Sequence, residues 1–460
     1  MLFHLANARP TYRMFVDPMG ASWWGAAVAV LAVALVIDPH RLAPIAVLSV
    51  FVPVLAWLEA PVMGNHWLIV TLISLGFLGA FVTTLARSRS MHAVDVGRVM
   101  EPVARGVFFV FYTCTALSKI NRAFLNPEVS CGTFFTDETG HSLGWHSLDT
   151  ASSPFWGRAI AISIIVIECS VVVLLAMRRT RVIGVLVGVV FHGIIGLDGY
   201  HSFADFSSLV YALFVLFLPA DFFDAVTERL GRSARVLSRG VRSLCVALLV
   251  LVLVAQGLSL SSGWVSAIGD VRNAMWRLFS LGFVIVIGWY VVTSRRLGVD
   301  RSESATVLPM ARWLLVIPTL ALLNGVTPYV GVKTTYSWNM YSNLVTAPGR
   351  SNGLLVPTGW RWTDRQQDLV AVISSADSRL NVYAQERYLL TFTSLRAYTS
   401  SHPDTSLSYV RGGVRFDVAH TQSDAALSQQ VGGWERRLFA YRAVDAGTPA
   451  RCQPYFLPAG

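Results

Sequence analysis

Lysine and charge are both scarce in this chain of 460 residues. Only Lys119 and Lys333 among the 37 basic residues are lysines, and charged residues make up 14% of the sequence. Arginine stays protonated, whereas the amine of a buried lysine can lose its proton. Lys119 is the stronger candidate for chemistry because it follows an apolar run, residues 107 to 117. The alternative is an interfacial lysine whose amine extends to the lipid headgroups.

Candidate ligands for a metal or a nucleotide are also scarce. The chain has five cysteines and ten scattered histidines, and it contains no haem, flavin or phosphate-binding motif. These features argue against a dedicated metal or nucleotide site. The net charge of +10 comes without an aromatic-interleaved basic patch or a DNA-binding motif, so we expect no nucleic-acid partner. Anionic lipid explains the arginines better.

Apolar residues, by contrast, are abundant. They make up 54% of the chain, and the mean hydropathy is +0.53. A bilayer core about 30 Å thick needs about 20 apolar residues per helix. The sequence therefore predicts an all-α polytopic membrane bundle over residues 1 to 330, with about 9 to 10 transmembrane helices. The predicted spans are 21 to 37, 43 to 60, 66 to 86, 103 to 119, 158 to 177, 182 to 197, 205 to 220, 242 to 260, 274 to 293 and 311 to 327.

Arginines alternate between the short connections, which predicts the orientation in the cell membrane. Connections rich in arginine remain in the cytoplasm. We place there residues 87 to 98, 178 to 181, 229 to 242 and 295 to 301, which leaves the C-terminal tail outside. The segment from Arg229 to Arg242 is predicted to be an amphipathic helix on the inner leaflet, or alternatively a helix that docks a partner.

The composition becomes polar after about residue 330. We predict a small extracytoplasmic α+β cap over residues 331 to 460, with a strand at 370 to 374 and a helix at 388 to 399. A hairpin is predicted at 407 to 419, turning at Gly412 and Gly413. From Ala425 onward we predict a helix that runs into a final strand at 438 to 444.

Cysteine positions suggest how this cap is held. Cys114, Cys169 and Cys245 lie within predicted spans, whereas Cys131 and Cys452 both fall on the predicted outer, oxidising side. A disulfide between those two would tie the cap to the membrane domain. Two unrelated free thiols are the alternative.

Several polar residues fall at a similar depth near the outer side of the predicted bundle. A carboxylate within a span needs a partner or a wet cavity, so Glu168 is predicted to pair with Lys119 or His192. Taken alone, Glu168 and His192 each fit structural hydrogen bonding between helices better than a catalytic role. Asn121, Asp198, His201 and Asp205 lie nearby, and the two aspartates also fit turn or helix-cap roles.

Three stretches together resemble the HTTM family, the bacterial relatives of the membrane part of vitamin K-dependent gamma-carboxylase. The first runs from Thr115 to Pro127 and is followed by Ser-Cys-Gly at 130 to 132. The second covers 191 to 208, beginning Phe-His-Gly-Ile-Ile-Gly. The third begins Thr-Pro-Tyr-Val-Gly-Val-Lys at 327 and continues to residue 352. The similarity covers roughly residues 20 to 355.

The resemblance implies a role for Lys119. It matches the carboxylase lysine that is taken as the base for vitamin K hydroquinone, although the first lysine of that family's pair is Ser118 here. A membrane quinol of menaquinone or vitamin K type would then be the substrate, with Glu168 and His192 as accessory catalytic groups. The chain lacks the large lumenal region with which the carboxylase holds its protein substrate, so carboxylation of a protein is not expected.

Three classes of function remain open at this point. The first is a quinol-linked membrane oxidoreductase with Lys119 as base. The second is a non-catalytic scaffold or maturation factor that binds a protein partner through the outer cap. The third is a transporter, which would need a continuous polar pathway. Glu168 is the one carboxylate placed deep in a predicted span, which is little evidence for such a pathway. The resemblance also includes five residues that either dock the tail on the outer face or bind a ligand: Lys333, Tyr341, Asn343, Arg350 and Asn352.

Overall fold

The computed structural model describes residues 21–60, 64–88, 91–199, 201, 203–257, 262–296, 311–356 and 361–453. Twelve of the helices in these residues precede the C-terminal region. They are α1 Ala21–Ile37, α2 Leu42–Glu59, α3 Asn65–Ser88, α4 Ala93–Ser118, α5 Cys131–Ser142, α6 Pro154–Ala176, α7 Arg181–Ile195, α8 Phe203–Val215, α9 Ala220–Leu230, α10 Arg232–Gly257, α11 Ser262–Arg296 and α12 Val316–Val326.

Helix α6 shows how local sequence sets these boundaries. The Ser153 hydroxyl accepts a hydrogen bond from the Trp156 amide, and Pro154 occupies the first turn, where its missing N–H costs nothing. The apolar run ends at Ala176, and a 3₁₀ turn over Arg178–Thr180 leads into α7. A capped start and a charged end therefore confine this helix to its apolar sequence.

Three helices in the described part of the chain are long and apolar enough to cross a membrane. They are α3, α6 and the segment Asn273–Thr293 of α11. Helices α8 and α9 meet at 104° and would supply a fourth span if the bent pair were counted as one. Most described residues of the ten apolar runs are nevertheless helical, although the run 205 to 220 is interrupted between α8 and α9. The described part of the chain is thus mostly helical, and some of its helices are compatible with a membrane.

The remaining apolar helices are too short or too charged to meet the same criterion. Helices α1 and α7 have 17 and 15 residues. Helix α4 has 26 residues, but Asp95, Arg98, Glu101 and Arg105 all lie in its first half. A count of ten spans therefore stays a prediction.

The predicted amphipathic helix from Arg229 to Arg242 is wrong as a single element. Helix α9 ends at Leu230, and Gly231 follows with φ +52°, a left-handed conformation that glycine adopts without a side-chain clash. Helix α10 then starts at Arg232 and carries the arginines directly into the next apolar run. The arginine-rich segment is therefore the first part of a longer helix.

Aromatic rings fill the centre of the helical bundle. Phe108 of α4 packs edge-on against Phe214 of α8, with ring centroids 5.0 Å apart. Gly188 of α7 permits this packing, since a Cβ there would lie 2.1 Å from the Phe214 ring. Trp338, which follows α12, is fully buried in the same core and donates from Nε1 to the Ala321 carbonyl at 2.7 Å. The start of the C-terminal region is therefore inserted into the bundle.

The C-terminal region folds around an antiparallel five-stranded sheet with the order β4-β3-β1-β2-β5. Its buried core includes Val370, Leu390, Leu395 and Tyr409. The hairpin between β3 and β4 turns at Gly412 and Gly413, both with positive φ. The elements are β1 Leu369–Ser375, α13 Ser378–Gln385, β2 Tyr388–Thr391, α14 Phe392–Thr399, β3 Leu407–Arg411, β4 Val414–Val418, α15 Gly433–Leu438 and β5 Val444–Asp445.

The predictions for this region are correct in part. The strand at 370 to 374 and the glycine hairpin are confirmed. The helix predicted from 388 begins only at Phe392, because the four residues before it pair with β1 and β5. The helix predicted from Ala425 is short and begins at Gly433, and the final strand is limited to Val444–Asp445. Helix α13 was not predicted; the Asp377 side chain caps it by accepting from two backbone amides.

Candidate functional site

An ion pair joins α4 to α6 in the bundle. Lys119 is the C-cap of α4, and its Nζ lies 3.0 Å from Oε1 and 2.9 Å from Oε2 of Glu168. The side chains are 9% and 7% exposed. Desolvation makes such a pair costly unless its geometry is good, and removing one partner would leave a buried charge. The structure therefore brings together the two residues that sequence reasoning had matched by depth.

His192 does not join this pair directly but bonds to a residue that the sequence analysis missed. Its Nε2 lies 3.2 Å from the Tyr112 hydroxyl, and both residues are at most 3% exposed. Nδ1 of His192 is buried without a hydrogen-bond partner among the described residues. Tyr112 lies seven residues before Lys119, hence on the same face of α4. That spacing is the signal that could have identified it.

The two polar pairs form one cluster across three helices. Tyr112 is close enough to Glu168, and His192 to Lys119, for electrostatic interaction. We call these four residues the polar cluster. Phe206 and Phe214 pack against the His192 ring and give the cluster an apolar surround. In such a medium the charges of the cluster interact strongly with one another.

Asn121 fixes the chain immediately after Lys119. Its amide donates to the carbonyls of Ser118 and Ser342, at 2.9 and 2.6 Å, and its Oδ1 accepts from the Phe124 amide. The side chain is fully buried. Asn121 therefore acts as a positioning residue that binds the end of α4 to the segment after α12.

The predicted acidic residues of the following connection belong to a separate group. Asp198 Oδ2 lies 3.0 Å from His201 Nδ1, and Asp205 lies 3.5 Å from Nε2 of His66. Aromatic rings enclose His201: Phe135 meets it edge-on at 5.0 Å and Phe203 stacks on it at 5.6 Å. The structure thus places these aspartates beside histidines rather than beside Glu168.

A disulfide joins Cys131 to Cys452, as predicted, across 321 residues of sequence. Asn343 supports it from the segment after α12. Its Oδ1 accepts from the Cys131 amide at 2.7 Å, and its Nδ2 donates to the carbonyls of Val129 and Ala450. Asn343 has φ +55°, a conformation that asparagine tolerates better than most residues. One side chain therefore ties together both ends of the cross-link.

The other residues predicted to dock the tail are also at this junction. Arg350 donates to the carbonyls of Asp445 and Ala446, and Asn352 donates to the Asn343 carbonyl and accepts from Val345. The Tyr341 ring packs 4.7 Å from Phe135. These contacts hold the C-terminal region against the ends of the bundle helices.

Lys333 differs from these docking residues. It is half-buried in the segment after α12, and burial lowers its pKa from 10.5 to about 8. No hydrogen bond or ion pair of its side chain is present within the described part of the chain. Burial also raises the pKa of the Tyr341 phenol to about 12. Lys333 is therefore a second amine with an altered proton affinity, outside the polar cluster.

No family model, curated protein or solved structure matches the chain. Within the ranges that the structure describes, no group of three or more His, Cys, Asp or Glu side chains is placed to hold a metal ion.

Proposed function

We propose that the protein is a multi-pass protein of the cell membrane that uses the polar cluster to take a proton from a membrane quinol. The ion pair between Lys119 and Glu168 carries this proposal, because both side chains are buried where apolar helices meet. An ionisable pair at such a place is expensive to maintain and usually serves a reaction or a transport step. In this proposal the C-terminal cap lies outside the cell.

The pair is suited to hold one exchangeable proton. With that proton on Glu168, the neutral amine of Lys119 takes the hydroxyl proton of the quinol. One O–H bond breaks in the quinol and one N–H bond forms on Lys119. The resulting ammonium faces the quinolate anion, and its charge stabilises that anion in the apolar surround. Tyr112 and His192 lie close enough to stabilise the change in charge.

Chemistry of the surroundings favours a quinol over a water-soluble substrate. The cluster is built from α4, α6 and α7, and Phe206 and Phe214 line its other side. A lipid-dissolved aromatic alcohol can enter between apolar helices, whereas a charged metabolite would lose its hydration. The resemblance to the HTTM family also supports this substrate class. Dioxygen would be the oxidant of the quinolate, by the same resemblance.

The test compares anaerobic binding and oxygen-dependent turnover of reduced menaquinone and vitamin K hydroquinone. Lys119→Arg keeps the positive charge beside Glu168 but removes an amine that can become neutral. We expect it to bind quinol and to turn it over about 10²- to 10⁴-fold more slowly. Lys333→Arg, the same substitution at the other lysine, is the matched control and should stay near wild type.

Two results would overturn this function. Wild-type protein that neither binds nor oxidises quinol would favour the scaffold alternative, in which the cap binds a protein partner outside the cell. Full turnover by Lys119→Arg would remove Lys119 as the base. Glu168→Gln then tests whether the carboxylate alone accepts the proton. If it does, this variant should lose turnover although Lys119 keeps its ammonium.

A further inference from the structure

A surface pocket lies beside the loop that follows Lys119. Its volume is about 530 Å³, and it is lined by Arg122, Leu125, Asn126, Arg158, Ile162 and Leu354. Three of these residues come from the 122–126 loop, two from the first turns of α6, and one from the segment after α12. The pocket does not include any residue of the polar cluster.

The walls of this pocket are held together by backbone contacts. Asn121 forms a β-bridge with Gly353, the Arg122 amide donates to the Asn352 carbonyl, and the Leu354 amide donates to the Ile120 carbonyl. Arg122 and Leu354 are thereby kept at neighbouring positions on two antiparallel stretches of chain. The pocket is part of the folded junction rather than a gap beside a loose loop.

Two arginines give the pocket its charge. The side chains of Arg122 and Arg158 are exposed, and neither forms a hydrogen bond or an ion pair with another side chain in the described ranges. The lining contains no carboxylate. Two guanidinium groups without an internal partner favour an anionic ligand, and their planar donors match phosphate oxygens.

Apolar side chains complete the lining. Ile162 lies one turn after Arg158 on the same face of α6 and is 45% exposed, and Leu354 is 48% exposed. Helix α6 is one of the three helices that can cross a membrane, and the arginine lies near its first residue. This order, charge at the helix end and apolar surface below it, matches the headgroup and acyl chains of a lipid.

We propose that this pocket binds the phosphate of an anionic phospholipid, with Arg122 and Arg158 on the headgroup and Ile162 and Leu354 against the acyl chains. The proposal rests on the multi-pass placement given above but not on the quinol reaction. A protein without quinol turnover would still retain the lipid, so the two ideas fail separately.

The experiment measures phospholipid binding by the purified full-length chain in non-ionic detergent, using native mass spectrometry. The probes are phosphatidylglycerol, phosphatidylcholine and inorganic phosphate. Each basic residue near an anionic headgroup strengthens lipid binding. We therefore expect the Arg122→Gln, Arg158→Gln double variant to bind phosphatidylglycerol about 10- to 30-fold more weakly than wild type. The charge-matched control is the Arg379→Gln, Arg415→Gln double variant of the cap, which should bind like wild type.

A second variant leaves both arginines in place. Leu354→Glu adds a carboxylate beside them and should also weaken phosphatidylglycerol binding. Because the Cys131–Cys452 disulfide joins two distant segments, a mobility shift on reduction would show that each variant has formed this native contact. Equal binding of phosphatidylglycerol and phosphatidylcholine, or unchanged binding by the arginine variant, overturns the proposal. Displacement of the lipid by inorganic phosphate shows a free-phosphate site and overturns the lipid assignment.

Discussion

Lys119 Nζ lies 2.9 Å from Oε2 of Glu168, although the two residues are 49 positions apart and belong to different helices. The pair connects the end of α4 to the middle of α6. Because neither side chain is more than 9% exposed, each charge depends on the other for stabilisation. The same pair is therefore a structural connection between two helices as well as the centre of the proposed chemistry.

A double-mutant cycle separates these roles. Lys119→Met leaves the Glu168 carboxylate buried without its partner, so we expect a loss of about 3 to 5 kcal/mol in the free energy of unfolding. The Lys119→Met, Glu168→Gln double variant should lose less than Lys119→Met alone, because no charge is left unpaired. Thermal unfolding in detergent, followed by tryptophan fluorescence, measures both.

Val166→Ala is the control for this cycle, since Val166 lies on the same helix and is 54% exposed. It should change stability by about 0.5 kcal/mol or less. Strict additivity of the Lys119 and Glu168 effects would mean that the two residues do not stabilise each other, and would contradict the observed ion pair.

The lowered pKa of Lys333 predicts how the free energy of unfolding depends on pH. Burial lowers its pKa from 10.5 to about 8, so between these values the unfolded chain binds more protons than the folded chain. The free energy of unfolding should therefore rise as pH increases from about 8 to 10.5. The expected gain is about 1 to 3 kcal/mol for a half-buried side chain. Lys333→Met should lack this rise and be the more stable protein at pH 7.

Denaturant unfolding between pH 7 and 10.5 measures the effect. Lys333→Arg is the control, because arginine keeps its charge across the whole range. Its free energy of unfolding should therefore not rise with pH on account of residue 333. A rise of unchanged size in Lys333→Met would assign the pH dependence to another residue.

The disulfide between Cys131 and Cys452 should affect both electrophoretic mobility and stability. Wild-type protein should migrate differently with and without reductant, and Cys452→Ser should abolish that difference. Cys245→Ser, a substitution of a free cysteine, should retain it. We also expect Cys452→Ser to lose about 2 to 5 kcal/mol of stability. No mobility shift in oxidised wild type would contradict the disulfide.

The ion pair of Glu168 and the disulfide could both be predicted from the chemistry of their members. A carboxylate within a predicted span needs a partner, which indicated Lys119 or His192 for Glu168, and the structure shows Lys119. Two cysteines on one predicted side likewise indicated the disulfide. Tyr112 was missed because it lies in a run of aromatic residues, where its seven-residue spacing from Lys119 indicates the shared helix face but not the polar contact with His192.

The C-terminal sheet shows why some elements could not be predicted from local sequence. Residues 388 to 391 belong to a strand only because β1 and β5 pair with them, and β5 lies more than fifty residues further along the chain. Local sequence cannot specify so distant a partner, so the strand was predicted as the start of the following helix. The glycine hairpin was predicted correctly because Gly412 and Gly413 themselves determine its turn.

The proposed orientation can be tested with single cysteines in a background where Cys114, Cys169 and Cys245 are serine. Ser423 is exposed in the C-terminal cap, and Ser238 is exposed in the arginine-rich first part of α10. Because arginine-rich connections stay in the cytoplasm, a membrane-impermeant maleimide should label Ser423→Cys in intact cells and Ser238→Cys only after lysis. The reverse pattern would place the cap inside. Cys131 and Cys452 would then lie in a reducing compartment, where their disulfide would not persist.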